Sequence, residues 1–265
     1  MDAIMHRTER FTDLPAPWEV LTGGGGPPLL FLHGEEGQHG WLPHHSALAE
    51  KFHVAAPTMP GLAGSGRPTW VDTVPSLAKT YLALLDRMGW KQCILAGASL
   101  GGWIAAEMAS MEPARFKALV LIGAQGFPTG AYDVPNIFLT PYRRYISFGY
   151  ADPNGAAFRD MWGEAPTEDA AEHDLEVMEM AALVGFKPYM HDRSLSGSLA
   201  RFSNPALLLW GEEDRLTPRP AALAFKEALP DAHLALVPGA GHYVHLEQPK
   251  SCAVAINEFV SEWVR

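Results

Sequence analysis

The stretch Cys93-Ile94-Leu95-Ala96-Gly97-Ala98-Ser99-Leu100-Gly101-Gly102-Trp103 decides how the chain is read. Its apolar run, too short for a helix, ends at Gly97, and a lone polar residue, Ser99, follows. Gly101 and Gly102 then open a segment in which Ile104, Ala105, Met108 and Met111 recur at helical spacing. The order is strand, sharp turn, helix, with Ser99 at the apex. Glycines at 97 and 101 suit a serine on so tight a turn, because its backbone is strained and neighbouring side chains would collide. Such a serine has two uses: it caps the helix that follows, or it is presented as a nucleophile on a G-x-S-x-G turn.

Working outward, residues 29–32, 54–56, 118–122, 206–210 and 234–237 are short apolar runs predicted as buried strands, with 18–22 as an opening strand. Residues 23–28, four glycines and two prolines, must be a turn. Amphipathic stretches alternate with these strands. They lie around 46–52, over 74–88 with Leu77, Tyr81, Leu84, Leu85 and Met88 on one face, from Ser99 to Met111, up to Leu229, and at the end with Cys252, Ile256, Phe259, Val260 and Trp263 inward. This alternation predicts an α/β fold, a mostly parallel sheet flanked by helices. It stops over 126–204, where helical stretches at 136–148, 154–162 and 168–184 predict a helical cap inserted between strands. Residues 1–125 and 205–265 then form the core.

The 265 residues, 48% of them hydrophobic, suffice for one large domain with such an insertion. Twenty basic against thirty acidic residues give a net charge of −10, which opposes binding to nucleic acid or an anionic membrane. Residues 1–17 are polar and charged, without the apolar core of a secretory leader, and no apolar run reaches bilayer-spanning length. A cytoplasmic location is expected. Cys93 and Cys252 are expected as buried, reduced thiols.

A serine hydroxyl is a poor nucleophile at neutral pH, so Ser99 needs a base, and the base an oriented acid. Gly211-Glu212-Glu213-Asp214 follows one predicted strand and Gly239-Ala240-Gly241-His242 follows another. Loops after parallel strands emerge on one edge, so these groups can converge with Ser99. Glu212 and Glu213 compete with Asp214 as the acid, and His245 with His242 as the base.

On these residues the chain resembles the α/β-hydrolase superfamily, whose order of nucleophile, acid and histidine is matched by Ser99, Asp214 and His242. His33-Gly34, Pro60-Gly61 with Gly64-Ser65, and Glu247 and Pro249 after His242 fit as well. The resemblance implies a serine hydrolase that cleaves a small, largely uncharged carboxylic ester, lactone or thioester through an acyl-enzyme on Ser99. It implies Glu35 and Leu100 as backbone N–H donors of an oxyanion hole, His33 as a brace of that loop, and no cofactor or metal. The expected partner is a small-molecule substrate, and the expected state a monomer or homodimer. Serine at 99 counts against epoxide hydrolases and haloalkane dehalogenases, which use a carboxylate. Carbon–carbon hydrolases of dienoates carry a glycine- and serine-rich loop and a tryptophan after the histidine; here Glu35-Glu36-Gly37 and Tyr243 stand in those places, so that chemistry ranks second. A small-molecule receptor retaining the triad is the alternative of another class.

Other patterns weigh less. His33, His39, His44 and His45 with Glu35 and Glu36 match no zinc spacing. Residues 61–66 do not make a phosphate cradle. The tyrosines of 126–204, with Met161, Met178, Met180 and Met190, either line an acyl pocket or pack the helices. Glu168, Asp169, Glu172, Asp174, Glu176 and Glu179 are expected on a solvated helix face.

Overall fold

Each short apolar run becomes a strand of one sheet in the computed structural model, which describes residues 5–14, 17–63, 65–128, 134–163 and 167–264. Gly64 of the family-like loop and Tyr132 lie outside the described residues, as does the side chain of Asp169. The first half of the chain forms β1 (His6–Phe11), β2 (Trp18–Gly23), β3 (Pro28–Leu32), α1 (Pro43–Ala49), β4 (His53–Pro57), α2 (Val74–Arg87), β5 (Cys93–Ala98), α3 (Ser99–Met111) and β6 (Phe116–Ile122). Then come α4 (Tyr142–Phe148), α5 (Ala156–Trp162), α6 (Glu168–Gly185), α7 (Leu195–Leu199), β7 (Ala206–Gly211), α8 (Arg219–Ala228), β8 (Ala232–Val237), α9 (Val244–Glu247) and α10 (Pro249–Trp263). The eight strands lie in the order β1-β2-β4-β3-β5-β6-β7-β8. β1 and β4 run antiparallel to β2, and every other pair is parallel.

Alternation along the strands sorts the core into two layers. Leu30, Leu32, Leu95, Leu119, Leu121, Leu208 and Trp210 face Leu77 and Tyr81 of α2, Ile104 of α3 and Phe225 of α8. Leu29, Phe31, Ile94, Ala96, Val120, Leu207 and Leu209 face Leu48 of α1 and Cys252, Ile256 and Phe259 of α10. Both faces are thus covered, which is why the strands read as unbroken apolar runs. Cys93 and Cys252 are free and buried.

Several local expectations are corrected. Trp263 is exposed at the end of α10 instead of inward, and β8, at the sheet edge, is half-buried except at Val237. β1 has no counterpart among the predicted strands, because His6–Phe11 is polar and mostly exposed; it exists through its ladder to β2. α1 starts earlier, at Pro43, a residue suited to a first helical turn, and ends before Lys51 and Phe52. α4 starts only at Tyr142, since Pro141 turns the residue before it away from helical backbone angles. α7, five residues long, is too short to show a period. Between β6 and β7 the described residues hold helices and, outside them, one isolated bridge, Gly126 to His191. The acidic face of α6 is only partly solvated: Asp174 pairs with Arg143 at 3.2 Å and Glu176 accepts from Ala63 N–H at 2.9 Å. No helix of the described residues is long and apolar enough to cross a membrane.

Candidate active site

The elbow forms as the glycine spacing requires. β5 ends at Ala98 and Ser99 takes a left-handed φ of 49°, a conformation that non-glycine residues hold only when their surroundings impose it. A Cβ on Gly97 would overlap the Gly101 backbone, and one on Gly101 the carbonyls of Leu32 and His33, so strand and helix close on each other without side chains between them. Ser99 does not cap α3. That position belongs to Ala98, which makes no side-chain cap bond, and the Ser99 hydroxyl lies 2.6 Å from His242 Nε2.

Asp214 and His242 arrive on the loops after β7 and β8. His242 Nδ1 is 2.9 Å from Asp214 Oδ2 and 3.1 Å from Oδ1. Three further donors surround the carboxylate: Leu216 N–H and Thr217 N–H reach Oδ1 at 2.9 and 2.8 Å, and Thr217 Oγ1 lies 2.9 Å from Oδ2. Thr217 Oγ1 also sits 2.9 Å from Gly123 O and 3.1 Å from His242 Nδ1, which ties the turn after β6 to the pair. The histidine loop is anchored separately: Glu247 accepts from Gly241 N–H at 2.6 Å and from Ala151 N–H at 2.8 Å, while His242 N–H donates to Gly149 O at 2.7 Å. A Cβ on Gly241 would overlap Gly149 O, so this approach is open to glycine alone.

The competing groups are elsewhere. Glu212 and Glu213 are exposed, and Asp214 is the acid that meets the imidazole. His245 points away, 3.3 Å from Glu36 and packed on Phe31 and His44. His33 braces its loop: Nδ1 donates to Gly34 O at 2.8 Å and Nε2 accepts from Met59 N–H at 3.0 Å. Among the described residues no group of three His, Cys, Asp or Glu side chains is arranged to hold a metal ion.

The loop after β3 brings a second carboxylate to the imidazole. Glu35 is fully buried; Oε1 lies 3.7 Å from His242 Nε2, and Oε2 accepts from Leu100 N–H at 3.4 Å. Tyr145 from α4 and Tyr243 donate to Oε1, each at 3.3 Å, and Tyr142 Oη donates to the Glu35 carbonyl at 2.6 Å. Burial alone would raise the Glu35 carboxyl, but the hydrogen bond and charge of His242 prevail and lower it. Burial likewise opposes a charged His242, yet Asp214 and then Glu35 raise it above the ordinary imidazole value. Burial, followed by the Glu35 charge, pushes the three phenols well up, so they stay neutral donors.

Sequence reasoning missed Thr217, these tyrosine hydroxyls and the side chain of Glu35. Thr217 had a local signal, a hydroxyl three residues after an aspartate, the spacing of side-chain-to-backbone capping turns. The tyrosines had none, because their contact with Glu35 is made only by the fold. As arranged, the site pairs a hydroxyl with an imidazole that a buried carboxylate orients, the requirement for activating a serine.

A family model described as alpha/beta hydrolase fold matches residues 27–249. The chain belongs to the α/β-hydrolase family. It is 31% identical over 240 residues to the dihydrolipoyllysine-residue acetyltransferase component of an acetoin cleaving system from Pseudomonas putida, covering 87% of this α/β hydrolase and 62% of that relative's length. It is 25% identical over 255 residues to a pimeloyl-[acyl-carrier protein] methyl ester esterase from Nitrosomonas europaea, covering 87% and 94% of the two chains. Its fold is similar to that of a 2-hydroxy-6-oxo-6-phenylhexa-2,4-dienoate hydrolase from Rhodococcus, with a TM-score of 0.80, 24% identity and coverage of 97% and 99%.

Proposed function

We propose that this α/β hydrolase is a serine hydrolase acting on a small, largely uncharged carboxylic ester, with lactones and thioesters open to the same residues. The observation that carries the reading is the line of contacts from Asp214 through His242 to Ser99, 2.9 and 2.6 Å long. A relative named as a methyl ester esterase supports it. Ser99 Oγ attacks the carbonyl carbon and its proton passes to His242 Nε2, while the backbone N–H groups of Glu35 and of Leu100, the latter released from its 3.4 Å contact with Glu35 Oε2, receive the tetrahedral oxygen. The proton then goes to the leaving alkoxide as the C–O bond breaks, and the acyl group stays on Ser99. A water next gives a proton to His242 and attacks the acyl carbon; collapse frees the acid and returns the proton to Ser99. Asp214 fixes the imidazole tautomer and balances its charge throughout. Residues 126–204 act as a cap whose buried aromatic side chains limit the acyl group.

Cleavage of an anionic dienoate is the weaker reading, because the buried Glu35 carboxyl stands where such a substrate would bring further negative charge. The test is turnover of p-nitrophenyl esters of graded chain length, with a dienone included, by the wild type and Ser99→Ala. Multiple turnovers of short neutral esters, abolished in the variant, are expected. One slow turnover with a tightly retained ligand would favour a receptor, and preference for the dienone would favour carbon–carbon cleavage.

A further inference from the structure

An ester held for attack by Ser99 needs one oxygen on the Leu100 N–H and the other beside His242 Nε2, where the leaving group collects its proton. The Glu35 carboxyl already spans that interval. Oε2 accepts from Leu100 N–H at 3.4 Å and Oε1 lies 3.7 Å from His242 Nε2, with Ser99, Glu35 and His242 all buried. Two oxygens so placed have the outline of the acid that ester cleavage leaves behind, here supplied by the protein itself. Burial opposes a charged imidazole, but Asp214 and then Glu35 favour one, and an imidazolium cannot take the Ser99 proton.

The two halves of Glu35 are held unequally. Its carbonyl accepts from Tyr142 Oη at 2.6 Å, which ties the backbone of the loop to α4. Its carboxyl accepts from Tyr145, Tyr243 and Leu100 at 3.3 to 3.4 Å. Bonds to a carboxylate are ordinarily shorter, so this second grip is the weaker one. The side chain can therefore leave while the loop stays, and with it the Glu35 backbone N–H that the tetrahedral oxygen also needs.

We propose, on the hydrolase reading above, that the Glu35 side chain is an internal product analogue, which closes the site at rest and gives way to substrate. The ester's carbonyl oxygen takes over the Leu100 N–H, and its alkoxy oxygen takes the place of Oε1 beside His242 Nε2. The Glu35 carboxyl swings away from both. Substrate binds the molecules in which the carboxyl has withdrawn, so its apparent affinity is lowered by the fraction that is open. An external carboxylate competes for the same place and meets the same occupant.

The experiment compares wild type, Glu35→Ala and the double variant Tyr145→Phe with Tyr243→Phe, each checked for folding by far-UV circular dichroism. Two quantities are read: the rate of fluorophosphonate labelling at Ser99, and the calorimetric binding of butyrate, which needs no turnover. Labelling is expected to be about tenfold faster in Glu35→Ala, as for a wild type open about one-tenth of the time. The double variant keeps the carboxyl but loosens its grip, so a smaller increase is expected there. Butyrate is expected to bind Glu35→Ala at least about tenfold more tightly than wild type, because it fills the place the side chain has left. Slower labelling in Glu35→Ala would overturn the proposal and make Glu35 a group that assists the reaction. Equal labelling and equal butyrate binding would also overturn it, leaving Glu35 a packing residue. Faster labelling without tighter butyrate binding would mean a change in His242 and not a vacated place, and would overturn it as well. If Glu35→Ala does not fold, the double variant decides: faster labelling than wild type supports the proposal, and equal or slower labelling contradicts it. Absence of Ser99 labelling in every protein would instead remove the hydrolase reading, while the butyrate comparison still decides whether the carboxyl fills the site.

Discussion

The loops after β7 and β3 each bring one buried carboxylate to His242, and they do so in different ways. Asp214 is saturated: two backbone N–H groups, the Thr217 hydroxyl and the imidazole all lie within 2.8 to 3.1 Å of it. Glu35 has three partners at 3.3 to 3.4 Å, two of them phenols from residues remote in the chain. Short bonds from the backbone of one tight turn fix the Asp214 carboxylate in place, whereas the longer bonds from hydroxyls on other elements hold Glu35 less closely. The difference separates an acid locked by its own turn from one held in place only by the fold around it.

The largest expected effect tests the Asp214 side. Asp214→Asn should lower kcat by about 10⁴ while leaving the fold intact, because the imidazole loses its tautomer and its counter-charge. A fall of less than about tenfold would mean that Asp214 does not orient the imidazole, and would erase the distinction between the loops.

The β3 side should also be the acid-sensitive one. His44 and His45, at the start of α1 just beyond the Glu35 loop, are buried beside His245; burial depresses both imidazoles, that of His45 to about 3. Their folded values lie below the unfolded value, so the unfolded chain takes up protons first and stability is lost as pH falls through the ordinary histidine range. Each contributes about 1.4 kcal/mol per pH unit below roughly 6.5, until its folded value is reached. Urea unfolding at pH 7.5 and pH 5.5 should show this loss, reduced in His44→Phe. Equal stability at the two pH values would mean that the pair is not neutral in the fold.

Smaller effects refine the contrast. Thr217→Val should cost about 1–3 kcal/mol in urea unfolding, because Gly123 O and Asp214 Oδ2 lose their shared hydroxyl. It should slow turnover far less than Asp214→Asn. Tyr145→Phe should change stability by no more than about 1 kcal/mol, given the length of its bond to Glu35. A larger cost there would mean that Glu35 is held as firmly as Asp214.

What could be foreseen in the sequence divides along the same line. The elbow, Asp214 and His242 were legible because each follows a buried apolar strand directly and is marked by glycines that only close backbone contact requires. Their convergence follows from the parallel sheet. β1 was not legible, since a polar edge strand carries no pattern of its own and exists through its partner. Neither was the Glu35 side chain. Its neighbour in sequence, Glu36, turns to Gly34 N–H and His245, and only the fold decides that Glu35 turns to Leu100 N–H, Tyr145 and Tyr243.

The central claim is that Ser99 is the nucleophile, and site mapping of a fluorophosphonate adduct tests it most directly. Intact-mass and peptide analysis should find one adduct, on the peptide carrying Ser99, absent from Ser99→Ala and formed far more slowly in His242→Ala. An adduct on another residue, or labelling unchanged in Ser99→Ala, would contradict it.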